Sequence, residues 1–261
     1  MTSSSGAAFF DVDGTLLKST IVHHYFYLAQ QDQPAWKRGL LTARLLSWVP
    51  FYLWLDRVSR DAFNHVFYFN YAGLAVEDCR SQGQRYFQQK LRPCLFPAAL
   101  AQIADYQSQG TRIVLVTGSV DCVIAPLAEF LGADSLTAQL EVEQGRYTGA
   151  LRGEPVADQE KARLIRRYAE AHQIDLSQSY AYGDSMADLP MLQAVGHPVA
   201  VNPSSRLQQV ALQAGWPIQT WVASSVAGAG FQSAQLASQP VSQPVSQPIA
   251  QPVPPSSEPC L

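Results

Sequence analysis

Three short apolar segments of this chain are each followed directly by a polar loop that contains glycine. The segments cover residues 7–10, 112–116 and 179–182. A short apolar run of this kind is typical of a strand that is buried on both faces of a parallel sheet. Helical spacing appears between and after these segments, in residues 97–110, 121–131 and 158–172. The alternation of the two patterns predicts an α/β fold with a Rossmann-like parallel sheet.

A long insert separates the first predicted strand from the second. Residues 19–94 hold about half of the aromatic residues, with frequent helical spacing and without strand-like alternation. We therefore predict an α-helical cap domain over 19–94 and a discontinuous core made of residues 7–18 and 95–222. A hairpin at 140–151, with Gln-Gly at its turn, and a short strand at 199–201 complete the prediction for the core.

The C-terminal residues 223–261 have low sequence complexity. A Gln-Pro-Val-Ser motif repeats there with a period of four, and seven of the 17 prolines lie between Pro240 and Pro259. Proline removes backbone donors and favours an extended coil. We predict a disordered Pro/Gln/Ser-rich tail, whose partner, if it has one, the sequence does not identify.

Composition restricts the class of partner. The formal net charge is −3, which argues against a nucleic-acid binder because phosphate neutralisation needs clustered Lys and Arg. The four cysteines are scattered and suit a reducing compartment, so we expect a cytoplasmic protein. The sequence shows neither a signal peptide nor an apolar run long enough for a transmembrane segment. It allows peripheral membrane contact through the insert but does not favour it.

Two pairs of carboxylates follow predicted strands. Asp11 and Asp13 come after the first strand, and Asp184 and Asp188 come after the third. Loops beyond the carboxyl ends of parallel strands are where α/β sheets bind ligands. Carboxylates, carbonyl groups, waters and substrate phosphate are the ligands that Mg²⁺ prefers. Each pair taken alone is also compatible with an ordinary turn or helix cap, but together they indicate a metal site.

The second strand is followed by Thr117-Gly118-Ser119. A hydroxyl group and exposed backbone amides at a helix N-terminus can bind an anion, although the same residue types also cap helices. Lys161 lies near the start of the predicted helix 158–172. Most helix lysines are solvated, and this one becomes informative only as the cation that a bound phosphate would need.

These four motifs, in this order and at this spacing, resemble the motifs of the haloacid dehalogenase-like hydrolases. The resemblance spans residues 7–222, and the insert resembles the α-helical cap of the phosphoserine-phosphatase-like branch, subfamily IB. It implies that Asp11 is a nucleophile that forms an aspartyl-phosphate and that Asp13 is the general acid and base. It also implies that Thr117, Gly118 and Lys161 bind the phosphoryl group.

The same resemblance implies a Mg²⁺ cofactor. The carboxylates of Asp11 and Asp184 and the backbone carbonyl of Asp13 would bind the metal, and Asp188 would support them. The implied function is a Mg²⁺-dependent phosphomonoester hydrolase that acts on a small or partly apolar phosphate ester. A phosphotransferase, in which another acceptor replaces water, is an alternative, as is a non-catalytic binding scaffold. The intact motifs argue against the scaffold.

The insert departs from phosphoserine phosphatase at one informative position. In that family an acidic residue nine positions after the nucleophile helps to bind the substrate ammonium group, whereas this chain has Thr20 there. We expect His23 and His24 to serve the structure of the cap. We expect its aromatic residues to form the core of a small helical bundle, with a pocket for an apolar phosphate ester as the alternative.

Overall fold

The computed structural model describes residues 5–31, 33–58 and 60–223, all of which belong to one compact unit. The predicted tail lies outside the described residues, apart from residue 223. Among the described residues, no helix has both the length and the apolar character that crossing a membrane requires.

The central element of the fold is a six-stranded parallel sheet. The strands of the described chain are β1 (Ala7–Phe10), β2 (Arg112–Val120), β3 (Asp134–Ala138), β4 (Leu140–Glu143), β5 (Arg146–Leu151), β6 (Tyr180–Gly183), β7 (His197–Val201) and β8 (Ile218–Gln219). The sheet order is β3-β2-β1-β6-β7-β8, and every pairing in it is parallel. Strands β4 and β5 form a separate antiparallel hairpin, as predicted. The predicted α/β fold is confirmed.

Helices make up the insert and cover the sheet. They are α1 (Ile21–Gln30), α2 (Ala35–Val58), α3 (Arg60–Tyr68), α4 (Val76–Tyr86), α5 (Arg92–Cys94), α6 (Pro97–Ser108), α7 (Asp121–Leu131), α8 (Asp158–His172), α9 (Leu189–Leu192) and α10 (Ser205–Ala214). A 3-10 turn at Phe69–Tyr71 and a π-helical turn at Phe87–Leu91 lie within the insert. Helices α1 to α5 all fall between β1 and β2, which confirms the predicted helical insert.

Strand β1 lies in the middle of the sheet and is apolar on both faces. Ala8 and Phe10 belong to one buried cluster, and Ala7 and Phe9 belong to another on the opposite face. Helices α6 and α7 contribute to the first cluster, and α8 and α10 contribute to the second. Because both faces of β1 are covered, four consecutive apolar residues are favourable there.

Three strands differ from the prediction: β2, β3 and the two-residue edge strand β8, which was not predicted. We expected the second strand to end at residue 116, but β2 continues through Thr117-Gly118-Ser119 to Val120. Its pairing with β3 shifts register between Thr117 and Val120, so the polar residues form an irregular strand end. Strand β3 was not predicted, because its sequence Asp-Ser-Leu-Thr-Ala is half polar and it lies at the edge of the sheet.

The chain enters and leaves the insert at one place. Leu17 forms an isolated bridge with Leu95, and the amide of Phe96 donates to the carbonyl of Leu16 at 2.9 Å. Farther along the insert, α4 packs against α7 so closely that a Cβ atom at Gly83 would overlap the carbonyl of Cys122. The domain boundaries at 18/19 and 94/95 stay predictions.

Candidate active site

The acidic residues and the threonine of the predicted motifs lie at the carboxyl ends of the parallel strands. Asp11 follows β1, Asp184 follows β6, and Thr117 lies near the end of β2. These three strands are neighbours and run in the same direction, so their carboxyl ends meet. The sheet order therefore brings together residues that are far apart in the sequence.

Lys161 links two carboxylates at the centre of this site. Its Nζ atom donates to Asp11 Oδ1 and to Asp188 Oδ1, each at 2.6 Å, and all three side chains are buried. Burial by itself would lower the pKa of Lys161, but the two carboxylates raise it above its usual value. Lys161 is therefore a buried cation between Asp11 and Asp188, and its role in binding phosphate stays a prediction.

The second carboxylate oxygen of Asp11 is free. Among the described residues, Asp11 Oδ2 is buried and has no hydrogen-bond partner. Burial raises the pKa of Asp11 well above its usual value; the charge of Lys161 opposes this, and those of Asp188 and Asp184 add to it. A buried carboxylate oxygen without a partner is unfavourable unless a ligand satisfies it. Asp11 thus presents one oxygen to an incoming group.

Three carboxylates, including that of Asp11, lie close together in this site. Oxygens of Asp11, Asp184 and Asp188 all lie within 4.8 Å of one another. Burial, followed by the charge of Asp188, raises the pKa of Asp184 to about 7. This crowding and the unpartnered oxygen of Asp11 fit a divalent cation, which would satisfy the oxygen and reduce the repulsion. The predicted metal ligands Asp11 and Asp184 belong to this cluster, and so does Asp188.

Asp188 also shapes the loop that holds Asp184. Its Oδ2 atom accepts from the amides of Asp184 and Ser185, at 3.2 and 3.0 Å, and from Ser185 Oγ at 2.8 Å. One oxygen of Asp188 therefore fixes the backbone of the loop while the other binds Lys161. The supporting role that the resemblance implies for Asp188 stays a prediction.

Asp13 faces a different set of partners. Its Oδ1 atom accepts from His24 Nε2 at 2.7 Å and from Ser19 Oγ, and its Oδ2 atom accepts from Ser119 Oγ at 2.7 Å. Burial would raise the pKa of Asp13, but His24 and the two serine hydroxyls lower it below its usual value. The Asp13 side chain is thus held as a hydrogen-bonded carboxylate and is separate from the acidic cluster.

His24 is a site residue that the sequence did not reveal. We expected a structural role, and its Nδ1 atom does lie 3.1 Å from Tyr86 Oη within the insert. Its Nε2 atom, however, bonds Asp13. His23, by contrast, is exposed and contacts Thr20, which caps α1. The available signal was the short distance in sequence between Asp13 and the start of α1.

Thr117 and Gly118, for which the resemblance implies phosphate binding, lie near Asp13 at the end of β2. Thr117 is buried; its Oγ1 atom accepts from the Ser119 amide at 3.0 Å and donates to Asp13 Oδ2 at 3.4 Å. The carbonyl of Gly118 accepts from the hydroxyl of Tyr68, a residue of the insert. Both Tyr68 and His24 therefore join the insert to the site.

The aromatic residues of the insert fall into two groups. The buried residues Tyr52, Phe63 and Phe67 form the expected bundle core. The expectation is wrong for the tryptophans of α2, which are exposed: Trp36, Trp48 and Trp54. Trp48 also lines a cavity of about 230 Å³ between α1, α2 and α3.

The whole arrangement matches a known family. The family model of the haloacid dehalogenase-like hydrolases matches residues 8–193, which include every predicted site residue. The chain belongs to this family.

Relatives of known or assigned activity agree with this. The chain is 32% identical to a probable phosphatase of Mycobacterium tuberculosis over 81% of this chain and 74% of that protein. It is 26% identical to a histidinol-phosphatase of Neisseria meningitidis over 81% of this chain and 96% of that protein. A solved phosphoserine phosphatase with a phospho-aspartyl intermediate analogue has the same fold, with a TM-score of 0.59 and 18% identity over 84% of this chain and 94% of that one.

This protein is therefore a phosphatase of the haloacid dehalogenase-like family. Its relatives include phosphoserine-phosphatase-like proteins of subfamily IB. Its acidic cluster is of the kind that holds a metal ion in a phosphatase. The relatives act on different phosphate esters, so membership of the family does not define the ester.

Proposed function

We propose that this phosphatase hydrolyses a small phosphate monoester through an aspartyl-phosphate on Asp11. The observation that carries the proposal is the asymmetry of the Asp11 carboxylate. Lys161 holds Oδ1, whereas Oδ2 is buried and unpartnered among the described residues. A nucleophile needs one oxygen that is positioned but not occupied, and this carboxylate has one.

Lys161 supplies charge neutralisation in this proposal. Phosphoryl transfer depends mainly on positioning and on neutralising the charge of the transferred group. The ammonium group lies 2.6 Å from Asp11, so it lies next to any phosphoryl group that Asp11 attacks. Thr117 and the backbone at Gly118 would bind the phosphoryl oxygens from the neighbouring strand.

Asp13 would act as the general acid and base. Its hydrogen bond to His24 holds an exchangeable proton between the two side chains. We infer that this pair gives a proton to the leaving oxygen and later takes one from the water that attacks the aspartyl-phosphate. The Ser119 hydroxyl would keep the carboxylate in position during both steps.

Mg²⁺ is the cation that we propose for the acidic cluster. Asp11, Asp184 and the backbone carbonyl of Asp13 would hold it, and Asp188 would support the loop. When bound, Mg²⁺ reduces the repulsion between a carboxylate nucleophile and a phosphate dianion.

The substrate would lack the recognition used for phosphoserine. Thr20 occupies the position that is acidic in phosphoserine phosphatases, and its side chain caps α1. A threonine hydroxyl cannot balance the charge of a substrate ammonium group. We therefore propose an ester with no cationic group at this point, either small or partly apolar. The thiols Cys79, Cys94 and Cys122 favour a reducing, cytoplasmic location.

The test is a screen of the purified full chain against phosphate monoesters with Mg²⁺ present, followed by Asp11→Asn. This change keeps the shape of the side chain and removes the nucleophile, so activity should fall by at least ~10³-fold. Phosphate release should equal alcohol release. A deficit of phosphate when an acceptor alcohol is added would indicate a phosphotransferase instead. Substantial activity in Asp11→Asn would contradict the covalent mechanism.

A further inference from the structure

Helix α2 has an apolar stripe that faces solvent. At about 100° per residue, its members lie within roughly one third of the helix circumference. They are Trp36, Leu40, Trp48, Phe51, Trp54 and Val58, all exposed; Leu46, which is also exposed on α2, lies outside this arc. The exposed fraction is 72% for Trp36 and 57% for Trp54. Exposed large apolar residues that form a continuous patch usually mark an interaction surface.

The segment that carries the stripe is basic. Helix α2 contains Lys37, Arg38, Arg44 and Arg57 and one acidic residue, Asp56, although the whole chain has a formal net charge of −3. By the same helical spacing, Lys37 and Arg44 lie within the arc of the stripe, whereas Arg38 lies about 80° beyond its border. Tryptophan next to Lys and Arg on one helix is the composition of helices that lie in the headgroup region of a membrane.

A cavity lies at the border of the stripe, and Trp48 belongs to both. It measures about 230 Å³ and is lined by aromatic residues and by Arg44. The aromatic residues of its lining are Tyr25, Phe26, Trp48, Tyr52 and Phe69. An apolar cavity with a cation in its wall suits an amphipathic molecule with an acidic headgroup.

This cavity is distinct from the catalytic site. On α1, His24 points to Asp13, while Phe26 and Ala29 in the cavity lining lie about 140–200° around the helix. On α3, Tyr68 bonds Gly118, while Val66 in the lining lies about 160° away. The aromatic cavity is thus separated from the acidic cluster by α1 and α3, and it does not serve as the pocket for the reacting ester.

We propose that the stripe of α2 docks on an anionic lipid surface. Helix α2 would lie along the surface with Trp36 and Trp54 among the headgroups and Lys37 and Arg38 next to anionic lipid. The cavity next to Trp48 would receive the apolar part of a lipid, with Arg44 beside the lipid headgroup. A second copy of the chain is a poorer occupant, because a symmetric contact would bring two basic segments together.

Vesicle sedimentation of the full chain tests this. One set of vesicles is phosphatidylcholine alone, and the other is a three-to-one mixture of phosphatidylcholine and phosphatidylglycerol. We expect binding to the mixed vesicles only. Trp36→Ser with Trp54→Ser, and separately Lys37→Glu with Arg38→Glu, should each weaken it by about tenfold or more. None of the four residues touches the catalytic site, so hydrolysis of a water-soluble ester should be unchanged in both variants.

Matched controls separate a specific surface from general stickiness. Leu212→Ser removes an apolar residue of α10 that is 67% exposed, and Arg166→Glu reverses an exposed charge on α8. Both controls should bind mixed vesicles like the parent. Absence of binding, equal binding to both vesicle types, or an equal loss in the controls would overturn the proposal. So would a dimer in sedimentation velocity that the Trp36/Trp54 variant converts to a monomer, since the stripe would then bind a second copy.

Discussion

At the scale of single residues, the acid–base pair joins two parts of the chain. Asp13 belongs to the loop after β1, whereas His24 belongs to the first helix of the insert. Only 10 residues separate them, yet His24 also contacts Tyr86 from a later helix. His24 is therefore fixed by the insert and acts on the site through Asp13.

Changing His24 should affect the chemical step more than substrate binding. We expect His24→Ala to lower kcat by roughly 10²-fold with little change in KM, because an unsupported Asp13 transfers protons less well. His24→Gln can keep a donor near Asp13 and should recover part of the loss. His23→Ala is the matched control, since His23 is exposed on the same helix, and should retain near-parent kcat. Equal losses in both alanine variants would point to damage to α1 instead.

Gly14 allows Asp184 to reach the site. Its φ of +108° suits glycine, and a Cβ atom there would overlap the Asp184 carboxylate. Gly14→Ala should therefore abolish most activity and raise the Mg²⁺ concentration needed for half-maximal rate. Gly110→Ala has similar backbone strain, with φ +73° and open space around the glycine, and should cost stability alone. Steady-state kinetics over a Mg²⁺ series would compare the two variants.

Residues of the site could be predicted from the sequence where they lie close to a strand or helix that the sequence reveals. Asp11 and Asp184 could be singled out because each follows a recognisable strand, whereas Lys161 is singled out only through the resemblance to the family motifs. His24 and Tyr68 could not, because their contacts with Asp13 and Gly118 depend on how the insert folds back onto the sheet. No local sequence pattern indicates how the insert packs on the sheet.

At the scale of elements, buried strands were predictable and edge strands were not. Strand β1 is apolar on both faces and stands out in the sequence, whereas β3 and β8 lie at the two edges. β3 is half polar and β8 has only 2 residues. An edge strand pairs with one neighbouring strand instead of two, so fewer of its residues need to be apolar. Its sequence then resembles that of a loop.

The contact between α4 and α7 fixes the insert on the core, and Gly83 makes it possible. A Cβ atom at this position would overlap the Cys122 carbonyl, so Gly83→Ala should destabilise the protein by about 1–3 kcal/mol. Gly39→Ala on α2 is the matched control, because nothing lies within 4 Å of that Cβ position. It should be neutral or stabilising by up to ~1 kcal/mol, given the helix propensities of the two residues. Thermal melts of both variants would show opposite or clearly unequal shifts in Tm.

At the scale of the whole molecule, the acidic cluster opposes folding unless a cation is present. Asp11, Asp184 and Asp188 are brought together by folding, and burial raises the pKa of both Asp11 and Asp184. Lys161 compensates part of this charge through Asp11 and Asp188. A ligand that binds only the folded chain stabilises it in proportion to the logarithm of its concentration.

The Tm should therefore rise with added Mg²⁺ and fall in EDTA. A ligand at 100 times its Kd contributes about 2.7 kcal/mol, which would be readily visible in a melt. Asp184→Asn should melt higher than the parent in EDTA, because it removes a repelling charge, and should respond little to Mg²⁺. Glu143→Gln, an exposed carboxylate on the hairpin, should respond to Mg²⁺ like the parent. An unchanged parent Tm across the Mg²⁺ series would argue against a metal in this cluster.

The bond between His24 and Asp13 has a consequence for turnover. If α1 and α3 move away to exchange ligands while α4 stays packed on α7, the donor to Asp13 leaves with α1, and the bond from Tyr68 to Gly118 breaks as well. The open form then exchanges product for substrate but lacks the complete acid–base pair, and only the closed form reacts. An ester that enters the open form without allowing it to close would mostly dissociate unhydrolysed. The enzyme would thus select among esters by whether the bound ester allows α1 and α3 to move back onto the site.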